Sequence, residues 1–136
     1  MEPLDLVRKA IIAREASYSP YSNFKVGATV LLKDGKTFNG TNIENASYGL
    51  CMCAERNALY QATIAGYKKS DIIGLAVVAD TDKPVSPCGA CRQVISELML
   101  PSTPIYLATT KSPKDFKVTN GKELLPFAFE GSDFKK

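Results

Sequence analysis

The sequence predicts an α/β layered domain whose sheet is mixed rather than purely parallel. Three observations carry this. Segments with apolar residues at helical spacing alternate with β-rich runs. Asp34-Gly35, between two such runs, signals a hairpin and makes the strands around it antiparallel. Asp71 to Ala79 is an almost unbroken apolar run, as expected of a strand covered on both faces. At 136 residues the chain is sized for one domain, residues 1–136, and can build a core without staples.

The elements follow in order. Leu4, Val7 and Ile11 recur at helical spacing, and Asp5 stands four residues before Lys9, so residues 4–17 are predicted helical. Tyr18 to Asn23 breaks that helix into a polar, aromatic loop. Val26 to Leu32 reads as a strand, and Lys36 to Thr41 returns as its antiparallel partner. Asn42 to Gly49 is polar and turn-rich and leads into the first cysteines. Ala54 to Ala65 is predicted helical, with Ala58, Leu59, Ala62 and Ala65 on one side and Gly66 as its stop. After the strand at Asp71–Ala79, a loop with Pro84 and Pro87 carries the chain to Cys88. A third helix, Gly89 to Leu100, turns Val94, Ile95, Leu98 and Met99 inward and stops at Pro101. Pro104 to Thr109 and Phe116 to Thr119 read as short strands, and Lys122 to Leu125 as a helical turn. The tail from Pro126 to Gly131 keeps Phe127 and Phe129 in a segment too polar to bury them by itself.

Composition narrows the function classes. Apolar residues make up 45% and charged residues 23%, the balance of an ordinary soluble protein. Net charge is only +3 and the lysines are scattered, so no basic stripe argues for a polynucleotide partner. The start, Met1-Glu2-Pro3-Leu4-Asp5, does not read as a signal peptide, and no run is long enough to span a membrane. The expectation is a cytoplasmic protein, where thiols stay reduced and clustered cysteines bind metal or do redox chemistry.

All four cysteines lie in two short segments, Cys51-Met52-Cys53 and Cys88-Gly89-Ala90-Cys91, and the chain has no histidine. A transition metal must therefore be held by thiolates or carboxylates, and any general acid or base is not imidazole. Cys53 and Cys88 each stand just before a predicted helix, whose dipole favours the thiolate. Cys88-x-x-Cys91 lets two sulfurs on one helical turn grip one ion. With Cys53 that makes three ligands and an open position, the catalytic zinc pattern; four ligands would mean a structural site, and Cys51 keeps that alternative open.

Glu55, two residues after Cys53, is a candidate proton shuttle beside the metal; the competing reading is an acid that complements a helix N-terminus. Arg56 lies three positions after Cys53 on the same helical face. Three thiolates around Zn²⁺ leave a net negative charge, and an arginine hydrogen-bonded to those sulfurs would withdraw it. The alternative is a surface arginine.

Cys53-Ala54-Glu55 with the distant Pro87-Cys88-x-x-Cys91 resembles the zinc deaminase pattern in its all-cysteine form. Ser22-Asn23-Phe24-Lys25-Val26-Gly27-Ala28, Asn42-Ile43-Glu44-Asn45-Ala46, Cys88-Gly89-Ala90-Cys91-Arg92-Gln93-Val94 and Leu124-Leu125-Pro126 extend the likeness over nearly the whole chain. Together they resemble the short, homotetrameric cytidine deaminases. The resemblance implies a three-layer α/β/α fold with a mixed sheet of about five strands. It also implies a hydrolase acting on a cyclic amidine C–N bond, which turns cytidine and deoxycytidine into uridine and deoxyuridine in pyrimidine salvage.

Carried over by position, Cys53, Cys88 and Cys91 would hold one Zn²⁺ per subunit. Glu55 would move protons between the attacking water, ring N3 and the departing amine. Backbone groups around Ala54 and Cys88 would fix the base, Phe24 would line the pocket, and Asn42 and Glu44 would bind a ribose hydroxyl. Phe129, from a tail over residues 121–136, would close a neighbouring subunit's site, with Tyr48 at a subunit junction. Arg56 would sit behind the metal thiolates. Cys51 matches no ligand and is read as a buried or incidental thiol.

Four rival readings remain at this point. A blasticidin-type deaminase shares the three cysteines and the glutamate, but the Phe24 region and the Asn42/Glu44 pair favour cytidine. A non-catalytic zinc module would use all four cysteines. A thiol redox protein would be built on Cys88 and Cys91. A polynucleotide-editing deaminase would need a basic channel that this chain lacks.

Overall fold

The computed structural model describes residues 1–134, so residues 135–136 of the expected tail lie outside the described residues. Its centre is a five-stranded sheet in the order β2-β1-β3-β4-β5. These strands are β1 (Val26–Leu32), β2 (Thr37–Thr41), β3 (Ile72–Ala79), β4 (Ile105–Thr109) and β5 (Lys117–Thr119). The β1–β2 hairpin is antiparallel, with Val30 opposite Phe38. β1 also pairs antiparallel with β3, Val30 opposite Leu75. Only β3 and β4 run parallel, Val77 opposite Leu107, and the helix between them makes the crossover that parallel strands require.

The helices are α1 (Pro3–Arg14), α2 (Ala54–Ile64), α3 (Gly89–Leu98) and a single turn, α4 (Gly121–Leu124). α1 packs Leu6, Val7 and Ala10 on one face of the sheet, against Leu31, Ala76, Val78 and Ala108. On the other face, Ala54, Ala58, Leu59 and Ala62 of α2 and Ile95 of α3, with Met99 just beyond it, meet Val30, Leu75, Val77, Ile105 and Leu107. Alternation along β3 sends Leu75 and Val77 to one layer and Ala76 and Val78 to the other. That is the expected three-layer α/β/α arrangement, and it explains why β3 reads as a continuous apolar run.

Where boundaries move, the cause is local. α1 was expected to reach Ser17 but ends at Arg14. The following N–H groups of Ala16 and Ser17 bond three residues back, and the Ser17 hydroxyl turns to Asn42, which draws the chain off the helix axis. α3 stops at Leu98 rather than Leu100, because Met99 is already extended (φ −127°, ψ 155°) ahead of Pro101. α2 ends as expected, with Gly66 at φ 97°. β5 begins after Phe116, whose ring stacks edge-on against Tyr106 at 5.6 Å. Three short 3-10 turns, Tyr48–Leu50, Lys69–Asp71 and Gly131–Phe134, have no periodic signal in the sequence.

One glycine sets the position of α2. A Cβ on Gly40 would lie 2.3 Å from the Ala54 carbonyl oxygen, so only glycine in β2 lets the N-terminal turn of α2 come down onto the sheet.

Candidate active site

The N-termini of α2 and α3 meet beside the sheet, and that meeting unites the two cysteine segments. The sulfurs of Cys53, Cys88 and Cys91 all lie within 4.8 Å of one another, a group formed by no other three such residues among the described residues. Cys53 and Cys88 are 3.7 Å apart, sulfur to sulfur. Cys88 is the N-cap of α3, and its sulfur accepts the Cys91 N–H at 3.5 Å, as a serine or asparagine cap oxygen would. Exposure is graded: Cys91 is buried, Cys53 half-buried and Cys88 open to solvent.

The electrostatics are those of anions gathered at one point. Hydrogen bonding from Cys91, helped by Arg56 and Cys88 against the cost of burial, pulls the Cys53 thiol down to about 5. The same Cys53–Cys91 hydrogen bond, followed by burial and the Glu55 charge, pushes Cys91 up. The three sulfurs gather charge at one point, which a cation placed among them would offset. The donor set fits zinc, which takes three soft sulfurs and leaves a fourth position free. Cys53, Cys88 and Cys91 are the residues able to hold it.

Glu55 and Arg56 occupy successive positions in the first turn of α2, in different surroundings. Glu55 is only 4% exposed. Burial, the dominant cause, pushes its carboxyl up to about 7, and the Cys53 charge adds to the shift. A carboxyl that ionises near neutrality beside a metal site can both accept and return a proton. Arg56 is not a surface arginine. Its Nη2 donates to Cys53 Sγ at 3.4 Å, its charge is held on mainly by that sulfur, and its Nε is buried without a partner.

The segment ahead of the cysteines is drawn in by one β-bridge. Ile43 and Met52 exchange two backbone hydrogen bonds of 2.9 Å, placing Asn42 and Glu44 on either side of a residue paired next to Cys53. Asn42 Oδ1 accepts the Val26 N–H at 2.9 Å and the Ser17 hydroxyl, while its Nδ2 donates to the Phe24 carbonyl at 2.7 Å. Glu44 accepts the N–H groups of Tyr21 and Ser22 at 3.0 and 3.1 Å and the Ser22 hydroxyl. The Ser22 hydroxyl is the main cause that holds the Glu44 carboxyl below its ordinary range. Phe24, Asn42 and Glu44 are thereby brought together, with Phe24 still 42% exposed.

Ala54 is fully buried at the start of α2. Tyr48 is exposed, and with Tyr21, Ser22, Glu44, Asn45 and Cys51 it lines a cavity of about 230 Å³. Phe129 lines a different groove, of about 1030 Å³, between α3 and the tail. Its carbonyl accepts from Gln93 Nε2 at 2.9 Å and its ring stacks edge-on with Phe134.

Two readings from sequence need correction or addition. Cys51, expected to be a buried or incidental thiol, is half-buried, and its sulfur accepts the Asn45 N–H at 3.3 Å, closing the loop before α2. It stands outside the three-sulfur group. Ser17 and Ser22, which orient Asn42 and Glu44, were missed. Their partners lie 25 and 22 positions away, so no local pattern announces them.

Comparison with known proteins agrees with this geometry. Residues 2–107 match the family model for the cytidine and deoxycytidylate deaminase zinc-binding region. The chain is 52% identical to a cytidine deaminase of Halalkalibacterium halodurans, covering 94% of each chain. It is 47% identical to a cytidine deaminase of Sporosarcina psychrophila, over 98% of this chain and 95% of that one. The crystal structure of cytidine deaminase from Burkholderia pseudomallei superposes with a TM-score of 0.91 at 50% identity, covering 95% of this chain and all of the other. A three-thiol centre with a buried glutamate beside it, matched over this length, makes the chain a member of the cytidine and deoxycytidylate deaminase family.

Proposed function

We propose that this protein is a zinc-dependent hydrolase that converts cytidine and deoxycytidine to uridine and deoxyuridine with release of ammonia, in nucleoside salvage. The observation that carries the reading is Glu55, buried next to three convergent thiols in the first turn of α2. The names of the similar proteins supply the substrate class.

Cys53, Cys88 and Cys91 would hold the metal, which when bound supplies a Lewis acid able to make water nucleophilic at neutral pH. Glu55 takes a proton from water and gives it to ring N3, then takes the proton of the new C4 hydroxyl and gives it to the exocyclic amine as ammonia leaves. Arg56 drains negative charge from Cys53 through its hydrogen bond. Backbone groups at Ala54 and Cys88 hold the base, and Phe24 presents an exposed ring for its edge. Asn42 and Glu44, already fixed by the 17–26 loop, keep free hydrogen-bonding capacity for a ribose hydroxyl. A small net charge of +3 favours a free nucleoside over a polynucleotide.

The whole chain acts as one catalytic domain, with residues from 121 onward at a subunit boundary in a homotetramer. Large exposed aromatics support this: Tyr48 is 82% exposed and Phe129 54%. Reduced, clustered thiols favour a cytoplasmic setting. Among the described residues, no helix is long and apolar enough to cross a membrane.

The test is ultraviolet monitoring of cytidine with wild type and Glu55→Gln, with zinc measured in both. Wild type is expected to form uridine and ammonia, and the variant to keep its zinc and lose roughly 10²- to 10⁴-fold in kcat. Zinc in both proteins with turnover of blasticidin but not cytidine would transfer the assignment to the antibiotic deaminases. Zinc in both with no turnover of either would end the substrate assignment and move the search to other exocyclic amines.

A further inference from the structure

Arg92, one turn into α3, is half-buried and spends its guanidinium on three acceptors, two in the loop just before its own helix and one in a distant segment. Its Nε donates to the Pro87 carbonyl at 2.8 Å and its Nη2 to the Ser86 hydroxyl. Its Nη1 reaches across to the Leu124 carbonyl at 2.7 Å, at the C-terminal end of α4, where carbonyls have no partner within the helix. The Pro87 carbonyl belongs to the same rigid peptide plane as the Cys88 N–H. Fixing that oxygen therefore fixes the plane from which Cys88, the most exposed of the three cluster thiols, projects. Leu124 is the last residue of α4 before the chain becomes the tail that carries Phe127 and Phe129.

We propose that Arg92 is a positioning residue that locks the Cys88 loop and the C-terminal tail to one another. This rests on Cys88 being a zinc ligand. The coupling needs an arginine, whose planar fork presents several donors at set angles; a lysine offers a single ammonium on a flexible stem and cannot serve three separated acceptors. Gln93 is the contrast within the same helix. It holds the Phe129 carbonyl but makes no bond to the Ser86–Cys88 loop, so it tethers the tail alone.

The experiment compares Arg92→Lys, Arg92→Met and Gln93→Ala as zinc-loaded proteins. It reads zinc release into a chromogenic chelator without substrate, and the rate of protease cleavage after residue 124. Both Arg92 variants are expected to release zinc about 10-fold faster than wild type and to be cut faster in the tail. Gln93→Ala is expected to be cut faster and to release zinc at the wild-type rate. Arg92→Lys that is folded by circular dichroism and releases zinc like wild type overturns the proposal. So does Arg92→Lys that fails to fold, since Arg92 would then be a general stability residue. Zinc release is independent of substrate, so failure to turn over cytidine leaves this test standing, and wild-type release in Arg92→Lys leaves the deaminase reading untouched.

Discussion

Cys53 and Cys88 stand 35 positions apart, yet their sulfurs approach to 3.7 Å, each presented by the N-cap of a different helix. Cys91 completes the group from inside α3, while Cys51 is turned away to Asn45. Removing Cys88 and removing Cys51 should therefore have opposite consequences. Cys88→Ser is expected to lose bound zinc and all deamination. Cys51→Ser is expected to keep one zinc per chain, with the serine hydroxyl able to take over the hydrogen bond from the Asn45 N–H. Elemental analysis of both variants checks this, and a zinc-free Cys51→Ser would restore the four-cysteine reading.

Arg56 faces Cys53 at 3.4 Å with its Nε enclosed and unpartnered, so its charge is committed to the cluster. Arg56→Gln keeps a polar group but removes the positive charge. Zinc affinity or turnover is expected to fall about 10- to 100-fold. A chelator titration paired with kcat measures it; unchanged values in both would return Arg56 to a packing role.

Glu44 provides the pH dependence. Its carboxyl is lowered by Ser22, first through the hydroxyl and then, with Tyr21, through backbone N–H groups. A depressed carboxyl contributes stability that is complete above the ordinary carboxylate range and fades as pH falls through the folded value. The order of the 18–23 loop should follow that sign. KM for cytidine is expected to rise on acidification in wild type, and to be raised at all pH values and flatter in Glu44→Gln. Equal pH slopes for the two proteins would remove Glu44 from the loop's titration.

Phe127 adopts φ 56° and is fully exposed, a left-handed backbone carrying a bulky side chain with nothing packed on it. That conformation costs roughly 1–2 kcal/mol for an L-residue and almost nothing for glycine. Residues from 121 onward are proposed to lie at a subunit boundary, so the ring is expected to be covered in the assembly and Phe127→Gly to lower the thermal midpoint by a few degrees despite the relieved strain. A higher midpoint would mean that the ring stays uncovered in solution, against a subunit boundary at this part of the tail.

Much of this protein was legible in one dimension. Periodicities of 2 and 3.6, the Asp34-Gly35 turn and the Gly66 and Pro101 stops are local signals, and each lies within a turn or two of the element it shapes. Cys88-x-x-Cys91 is equally local, because two sulfurs one helical turn apart need no distant partner to converge. The Cys53-Ala54-Glu55 triplet could be read for its chemistry for the same reason.

What only the tertiary structure decided is the set of contacts that close across long loops. Arg56 was open to a surface reading and Glu55 to that of an acid complementing a helix N-terminus, until the packing of α2 on Gly40 buried the glutamate and turned the arginine to Cys53. Ser17 to Asn42, Ser22 to Glu44 and Arg92 to Leu124 join residues with no pattern between them. The physical reason is the same in each case. A helix or turn is encoded by neighbours in sequence, whereas a side chain's charge state and partner depend on which faces the sheet and helices bury against one another.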